Sequence, residues 1–355
     1  EVMTVNCVFG YNEVVPKSLD LMRDITPLPH WMNAGFSSYS IWWLLCHYEW
    51  YRYHGNKAYL EQSRDYIIAL LRQLMTQIAP DGQECLDGTR FLDWPSNSNK
   101  DAIAAGLQAL MVWGMRVGVE FAELFKDRQL SNDCKAAEKK LVKAASRVYK
   151  KFLASCPAPD APGSKQVAAL MAITGLIDAP KADKEFLSIN GAQGFSTFYG
   201  YYMLEAMAAA GNFQGALDVI REYWGAMIDL GATSFWEDFD INWIPNAAPI
   251  DELVPEGKKD IHGDCGAYCY VGFRHSLCHG WASGPTSWLS RHILGVEVLE
   301  PGCRQVRITP HLGDLQWVKG TFPTPYGEIQ IYHERQANGN VISEVKAPKE
   351  VSVIK

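Results

Sequence analysis

The chain has 355 residues, of which 48% are hydrophobic and 21% charged, and its formal net charge is −7 at pH 7. This composition is typical of a globular protein with one large domain or two unequal ones. The negative charge argues against nucleic acid or an anionic membrane surface as the main partner and is compatible with a neutral carbohydrate. The 12 Trp, 16 Tyr and 14 Phe are likewise compatible with a site that stacks on sugars.

Other classes of chemistry leave no trace in the sequence. The nine cysteines are odd in number, and Cys265 and Cys269 have no second pair to complete a zinc site, so we expect mostly buried, free thiols. No uninterrupted apolar run reaches the roughly 18 residues that span a bilayer. Motifs for dinucleotides, phosphate loops, zinc proteases and serine hydrolases are missing. We therefore expect no cofactor, no metal and no membrane insertion; the oligomeric state stays open.

Residues 1–293 are predicted to form a helical domain. Ser38–His54 is apolar or aromatic almost all round, which is typical of a helix buried on most faces. It is predicted to end at Gly55-Asn56, with a second helix from Lys57 to about Ile78. Further helices are predicted over 101–126, 131–154 and 164–177.

The same hairpin design recurs later in the chain. A helix over Thr197–Ala210 is predicted to end at Gly211-Asn212, and Phe213 to about Leu230 forms its partner. Repeated helical hairpins with tight Gly turns indicate an α/α toroid, in which an inner ring of helices is wrapped by an outer ring. About nine or ten helices are predicted, against twelve in a complete six-hairpin barrel.

Residues 294–355 have the alternating pattern of short strands and are predicted to form a small β-sandwich. Asn338-Gly339 is a hairpin signal within this region. The predicted strands are 296–298, 305–308, 316–320, 328–332, 341–343 and 351–354.

The strongest candidate for catalysis is Glu237, which follows Trp236 shortly after a helix that ends at Gly231. A carboxylate beside an indole and in a partly closed cavity can bind and activate water, and the indole can hold a pyranose. The alternative is that Glu237 caps a helix or pairs with an Arg, while Trp236 belongs to the core. His279, 42 residues later in a Gly- and Ser-rich turn, is either a sugar ligand or an ordinary satisfied polar residue.

Two further segments supply candidate sugar contacts. Asp93 and Trp94 lie in a loop between two helices, where the loops of a toroid form its pocket, although Asp93 is also a candidate cap. Trp31, ahead of the Ser38–His54 helix, is a candidate either for stacking on substrate or for plugging the barrel.

Taken in order, many of these residues resemble the bacterial α-L-rhamnosidases of glycoside hydrolase family 78. The similarity extends over about residues 28 to 335. The matching motifs are Gly194–Tyr199, Gly211-Asn212, Trp224–Met227, Gly231–Thr233, Trp236-Glu237, Ser276–Gly284, Trp288-Leu289, Gly295-Val296, Pro301-Gly302, Ile308–Pro310 and Thr324–Gly327.

The resemblance implies a mainly α fold, an (α/α)6 six-hairpin barrel followed by a C-terminal β-sandwich. It implies hydrolysis of terminal α-L-rhamnose with inversion, with Glu237 as the general base and a second carboxyl roughly 6.5–9.5 Å away. It also implies sugar contacts by His279, Trp94 and Trp31, with Asp93 in a matching Asp-Trp loop. A bacterial cytoplasmic or periplasmic location is implied as well.

The chain departs from this family pattern in three places. The family's general acid lies in an Arg- and Glu-containing motif ahead of the first barrel helices; this chain has no counterpart, so we expect the acid upstream of Glu1 or lost. Asn33 stands where relatives usually have Asp, and Cys278 replaces the usual Asn before His279. Because the chain begins at Glu1 without Met, we interpret it as a fragment or a trimmed product.

Two alternatives remain beside the rhamnosidase hypothesis. One is a six-hairpin glycosidase of another specificity, for a uronic acid or a different deoxysugar. A uronic acid needs a cation in the pocket, for which Arg90 and Arg274 are the candidates. The other is a carbohydrate-binding remnant without catalysis.

Overall fold

The computed structural model describes residues 1–156, 158–266 and 275–354. Helices occupy most of the chain up to Ile293, and strands occupy most of the chain beyond it. Within the described residues the helices are α1 Val2–Val8, α2 Val14–Asp24, α3 Met32–Gly35, α4 Ser37–His54, α5 Lys57–Gln62, α6 Arg64–Thr76, α7 Lys100–Leu124, α8 Arg128–Ser155, α9 Ser164–Ile173, α10 Ala179–Ala182, α11 Gly200–Ala209, α12 Phe213–Asp229 and α13 Gly284–Trp288.

Both predicted Gly-Asn hairpins have the same local geometry. Gly55 and Gly211 adopt left-handed backbone conformations, with φ of 64° and 78°, which end the preceding helices. Asn56 and Asn212 then cap the next helices, each side chain accepting a backbone N–H three residues on at 3.0 Å. The predicted repeat is confirmed.

The predicted helix over Lys57–Ile78 is in fact two helices. It breaks at Ser63, which separates α5 from α6 and has non-helical backbone angles. The Ser63 hydroxyl is buried and accepts a hydrogen bond from Arg23 Nη1 of α2 at 2.8 Å. A tertiary contact thus occupies the break, and the hydrophobic pattern gives no sign of it.

Helix α7 lies in the middle of the helical domain, against α8, α4 and α9. By length and composition alone it is apolar enough to cross a membrane. However, 83% of its most apolar window is buried inside the protein, as in the core helix of a globular domain.

Buried indoles fix the helices and turns relative to one another. The Nε1 of Trp43 donates to Leu19 O at 2.9 Å, and the Nε1 of Trp288 donates to Leu204 O at 3.0 Å. Trp224 Nε1 donates to Ala282 O at 2.9 Å. Each indole buries a large apolar area and makes one directional hydrogen bond, so it fixes the distance between the two segments that it joins and also stabilises the fold.

The C-terminal strands form two three-stranded sheets. In the described chain the strands are β1 Ala247–Ala248, β2 Lys259–Asp260, β3 Val296–Val298, β4 Gln305–Ile308, β5 Trp317–Thr324, β6 Gly327–Arg335, β7 Val341–Lys346 and β8 Ser352–Ile354. The orders are β3-β4-β8 and β5-β6-β7, and β1 pairs with β2 in parallel within the helical domain. Each predicted C-terminal strand is present, and β6 and β7 turn at Asn338-Gly339.

The two C-terminal sheets share an apolar core that includes Val296, Val306, Phe322, Ile329 and Ile331, and Cys7 of α1 and Tyr53 of α4 also contribute to it. Alternation along each strand places these side chains inward and polar ones outward. A boundary between domains at residue 294 remains a prediction.

The end of α4 is fixed against the β-domain. Arg52 donates from Nη2 to Val298 O at 2.7 Å, and its own carbonyl accepts from Gly302 N at 2.8 Å. A methyl group at Gly55 would lie 3.0 Å from Gly302 Cα, so the two turns meet backbone to backbone. These contacts anchor the C-terminal end of α4.

The described cysteines all carry free thiols. Five of the eight are buried, and burial raises the pKa of Cys7 and Cys303 to about 12. Cys269, the partner in the predicted Cys265 pair, lies outside the described residues.

Candidate active site

The two segments singled out in the sequence lie side by side. Glu237 N donates to Ser276 O at 2.8 Å, and His279 N donates to Phe235 O at 2.7 Å. Ser276 N returns a bond to Glu237 Oε2 at 3.0 Å. Backbone pairing therefore holds the candidate base and the candidate sugar ligand in one place.

The Glu237 carboxylate faces His279 across a short gap. Its Oε1 lies 3.9 Å from His279 Nδ1, with the two side chains 15% and 30% exposed. The carboxylate is therefore sheltered yet reachable by water. The Glu237 carbonyl accepts from Thr197 Oγ1 at 2.6 Å and from Trp281 Nε1 at 2.5 Å, which fixes the backbone behind the carboxylate.

Trp281 supplies the aromatic surface beside the carboxylate. Its ring centroid lies 4.5 Å from that of His279, and Phe198 stacks parallel to it at 5.3 Å. The sequence pattern did not single out Trp281, although it follows His279 by two residues in the same Gly-rich turn.

The prediction that Trp236 contacts substrate is wrong. Trp236 is fully buried, edge-on to Phe239. The side chain of its neighbour Glu237 faces His279 instead, so the two consecutive side chains have different surroundings. The core interpretation of Trp236 is the correct one.

Asp93 is buried and holds protein groups, which corrects its prediction as a direct sugar contact. Oδ2 accepts from Ser196 Oγ and from Gln166 Nε2 at 3.1 Å, and Oδ1 accepts from Trp94 N at 2.9 Å. Burial raises the pKa of Asp93 to about 7, against the lowering effect of these donors. Asp93 caps the turn that begins at Trp94, as the alternative interpretation proposed.

Trp94 is half-buried, next to Asp93. Phe91 meets its ring edge-on at a centroid distance of 4.9 Å, and the same Phe91 lies 6.4 Å from Tyr39. The role of Trp94 as a sugar contact stays a prediction.

Tyr39, at the start of α4, contacts Phe91, which also contacts Trp94, and the sequence did not single it out. Burial raises the pKa of Tyr39 to about 12, and the charges of Asp93, Glu1 and Glu237, which are distant in sequence, add to the rise. One tyrosine in a helix rich in aromatic residues gives no signal of this position.

Trp31 lies in the wall of a cavity of about 730 Å³, next to Asp87 and Asn33. Glu237, His279 and Trp94 are not among the residues that line it in the described chain. The role of Trp31 as a sugar contact stays a prediction.

Arg90, one of the cations considered for a uronic acid, is engaged. Its guanidinium pairs with the buried carboxylate of Glu84. Burial raises the pKa of Glu84, and Arg90 acts against that rise. Arg274, the other cation, lies outside the described residues. Across residues 1–156, 158–266 and 275–354, no group of three or more His, Cys, Asp or Glu side chains could hold a metal ion.

Comparison with known proteins gives this arrangement a context. Residues 295–354 match the family model of the bacterial alpha-L-rhamnosidase C-terminal domain. A family 78 rhamnosidase of Bacillus sp. GL1 superposes on 99% of the chain at 21% identity with a TM-score of 0.73. An α-L-rhamnosidase of Dictyoglomus thermophilum does so over 99% at 18% identity, with a TM-score of 0.74.

The chain has the fold of the α-L-rhamnosidases. Its family resemblance and mainly α architecture with a C-terminal β-domain, predicted from sequence, are confirmed. The α-L-rhamnosidase of Streptomyces avermitilis, solved with L-rhamnose, superposes on 94% of the chain at 17% identity with a TM-score of 0.65. The chain spans only 37%, 40% and 32% of the lengths of these three relatives, in the order given. A search of curated protein sequences finds no match.

Proposed function

We propose that this chain belongs to an inverting glycoside hydrolase that removes terminal α-L-rhamnose from glycans or glycosides, with Glu237 as the general base. The observation that carries the proposal is the sheltered Glu237 carboxylate facing His279 beside Trp281, on a rhamnosidase fold. Hydrogen bonds from Thr197 to the Glu237 carbonyl and from Ser276 N–H to its carboxylate hold this arrangement before any substrate binds.

The two carboxylate oxygens of Glu237 have different surroundings. Oε2 accepts the Ser276 N–H, whereas Oε1 points to His279. We therefore assign to Oε1 the proton taken from water. The water oxygen bonds to the anomeric carbon as the bond from that carbon to the leaving oxygen breaks. The leaving oxygen takes its proton from a second carboxyl, which we assign to no residue of this chain.

A neutral sugar suits the charges around the site. The Glu237 carboxylate adds negative charge at the candidate site, which disfavours a uronic acid. Arg90, one of the two cations considered for a uronic acid, is already paired with Glu84. Among the specificities considered, a neutral deoxysugar is therefore the better fit.

The test uses the full-length protein and an aryl α-L-rhamnoside. We expect Glu237→Gln to lower kcat by about 10²- to 10⁴-fold, the usual range for a lost general base, with little change in KM. Glu344→Gln, the same change at an exposed site on β7, is the control and should retain wild-type kinetics. Early in the reaction, ¹H NMR should detect β-L-rhamnose before the α anomer.

Three outcomes would contradict the proposal in different ways. A Glu237→Gln enzyme with most of the wild-type rate removes the base assignment. The α anomer as first product removes inversion. Rhamnose binding by titration calorimetry without turnover of any rhamnoside favours the non-catalytic remnant.

A further inference from the structure

The two segments that carry Glu237 and His279 are joined by a side chain as well as by backbone. The backbone N–H of Asp238 donates to Nε2 of His275 at 3.0 Å. Both of these residues are buried. The imidazole thus continues, one residue beyond Glu237, the pairing that Glu237 N makes with Ser276 O.

The two ring nitrogens of His275 have opposite roles. A backbone N–H can only donate, so Nε2 is the acceptor in its bond with Asp238 and carries no proton there. The proton of the neutral ring then lies on Nδ1, which is 3.2 Å from Ile261 O. One neutral tautomer satisfies both partners, and the imidazole therefore bridges the Asp238 amide and the Ile261 carbonyl.

The Ile261 end of this bridge is anchored in the helical domain. Ile261 is fully buried and directly follows β2, Lys259–Asp260. Strand β2 pairs in parallel with β1, Ala247–Ala248, whose two side chains are buried. Lys259 N also donates to Asn246 O at 2.8 Å. The imidazole is therefore supported by regular, partly buried backbone, whereas the base itself lies on an irregular segment.

The bridge acts on the base from two directions. His275 holds the amide of the residue that follows Glu237, and its chain neighbour Ser276 donates its N–H to Glu237 Oε2 at 3.0 Å. A buried amide that loses its acceptor has to find another partner, which moves the backbone. Such a movement reaches the carboxylate directly, because Glu237 and Asp238 share a peptide group.

We propose that His275 is a positioning residue for the candidate base, whose neutral imidazole fixes the peptide after Glu237 and so directs the Glu237 carboxylate. The proposal rests on the proposed hydrolase function, and in it His275 acts through Glu237 and touches no substrate. His279 keeps its own backbone bond to Phe235 O at 2.7 Å, so the candidate sugar ligand stays in place without the bridge. Loss of the bridge should therefore lower kcat much more than it raises KM.

The test compares two amides of different reach in the full-length protein. The amide of His275→Asn lies near the place of Nδ1 and can donate to Ile261 O, but it is too short to reach Asp238 N. The amide of His275→Gln extends to the place of Nε2, where its oxygen can accept from Asp238 N. With an aryl α-L-rhamnoside, we expect His275→Asn to lower kcat about 10- to 100-fold, with KM within about twofold. His275→Gln should recover most of the wild-type kcat. His311→Asn, which replaces a half-buried imidazole stacked on Phe213, is the control and should retain wild-type kinetics.

Two further measurements separate this proposal from a merely structural role and from the proposed function. In a Glu237→Gln background, His275→Asn should change kcat little, because the base through which it acts is gone. Hydrogen exchange followed by mass spectrometry reports on the Asp238 amide without any turnover. We expect faster exchange of the peptide that contains Asp238 in His275→Asn and wild-type protection in His275→Gln.

Several outcomes would overturn the positioning role. These are equal losses of kcat in both His275 variants, an unchanged kcat in His275→Asn, a raised KM without a loss of kcat, or a full further loss in the Glu237→Gln background. If His275→Asn does not fold, His275→Gln decides: wild-type kcat with a protected Asp238 amide supports the role, and a kcat at least tenfold lower overturns it. A wild-type protein that hydrolyses no rhamnoside contradicts the proposed function, and the exchange of the Asp238 amide then decides on the bridge.

Discussion

Asp93 is expected to make the stability of the protein depend on pH. Burial raises its pKa from an ordinary 3.8 to about 7, although three donors act in the other direction. Between about pH 4 and pH 7 the native state thus keeps a proton that the unfolded chain has lost. Because the native state binds more protons there, the free energy of unfolding falls as pH rises through this window.

The size of this effect follows from the shift. About three pKa units at 1.36 kcal/mol each give about 4 kcal/mol as an upper limit. Asp93→Asn removes the ionisation. The Asn oxygen keeps the Trp94 N–H, and Gln166 can turn its amide so that its oxygen faces the new NH₂. We therefore expect the variant to match wild type near pH 4 and to exceed it by up to about 4 kcal/mol above pH 7.

Urea unfolding followed by tryptophan fluorescence at several pH values from 4 to 8 measures this difference. Asp229→Asn, at an exposed position at the end of α12, should leave the wild-type pH profile unchanged. Parallel profiles for wild type and Asp93→Asn would refute the raised pKa. A variant that is less stable at every pH would show instead that Asp93 is ionised and that its hydrogen bonds to Ser196 and Trp94 dominate.

Two further predictions concern residues that hold the base indirectly. Thr197→Val removes the 2.6 Å hydrogen bond to the Glu237 carbonyl. In steady-state kinetics kcat should therefore fall about tenfold, with KM unchanged. An unchanged kcat would show that the bond from Trp281 alone is enough to hold this carbonyl. Lys165 is buried and donates hydrogen bonds to three backbone carbonyls, those of Leu187, Ile189 and Gly191. Lys165→Met leaves these carbonyls unpaired, so it should lower the free energy of unfolding measured in urea by at least about 3 kcal/mol. Lys184→Met, at an exposed position in the same region, is the control and should change it little.

The elements that sequence reasoning predicted well are those fixed by local chemistry. Gly55-Asn56 and Gly211-Asn212 end and restart helices because a left-handed glycine and an Asn cap act within a few residues. The C-terminal strands are likewise set by period-two alternation. Pairing of the Glu237 and His279 segments could be expected only from the ordered family motifs, since 39 or more residues separate the atoms that bond.

The failures concern side-chain direction and long-range contact. Trp236 was assigned to the site because it precedes Glu237, but its side chain is fully buried whereas that of Glu237 faces His279. Tyr39 could not have been singled out, since its contact with Phe91 joins parts of the chain that are distant in sequence. The surroundings of Trp31 could not be predicted from the sequence, because the orientation of its indole depends on a bond to Asp87, 56 residues away.

The candidate base lies on irregular backbone, yet its position is determined from several directions. Its carbonyl is held by Thr197 and Trp281, and its carboxylate by Ser276 N–H. Buried residues of the helical core hold these groups in turn. Trp224 Nε1 donates to Ala282 O, next to Trp281. Lys165 Nζ donates to three carbonyls of the segment that precedes Thr197. A catalytic carboxylate must be placed to within about 0.5 Å, and here that precision comes from buried donors in the helical core. Substitutions at such donors should therefore lower kcat more than they raise KM, even though none of them reaches the sugar.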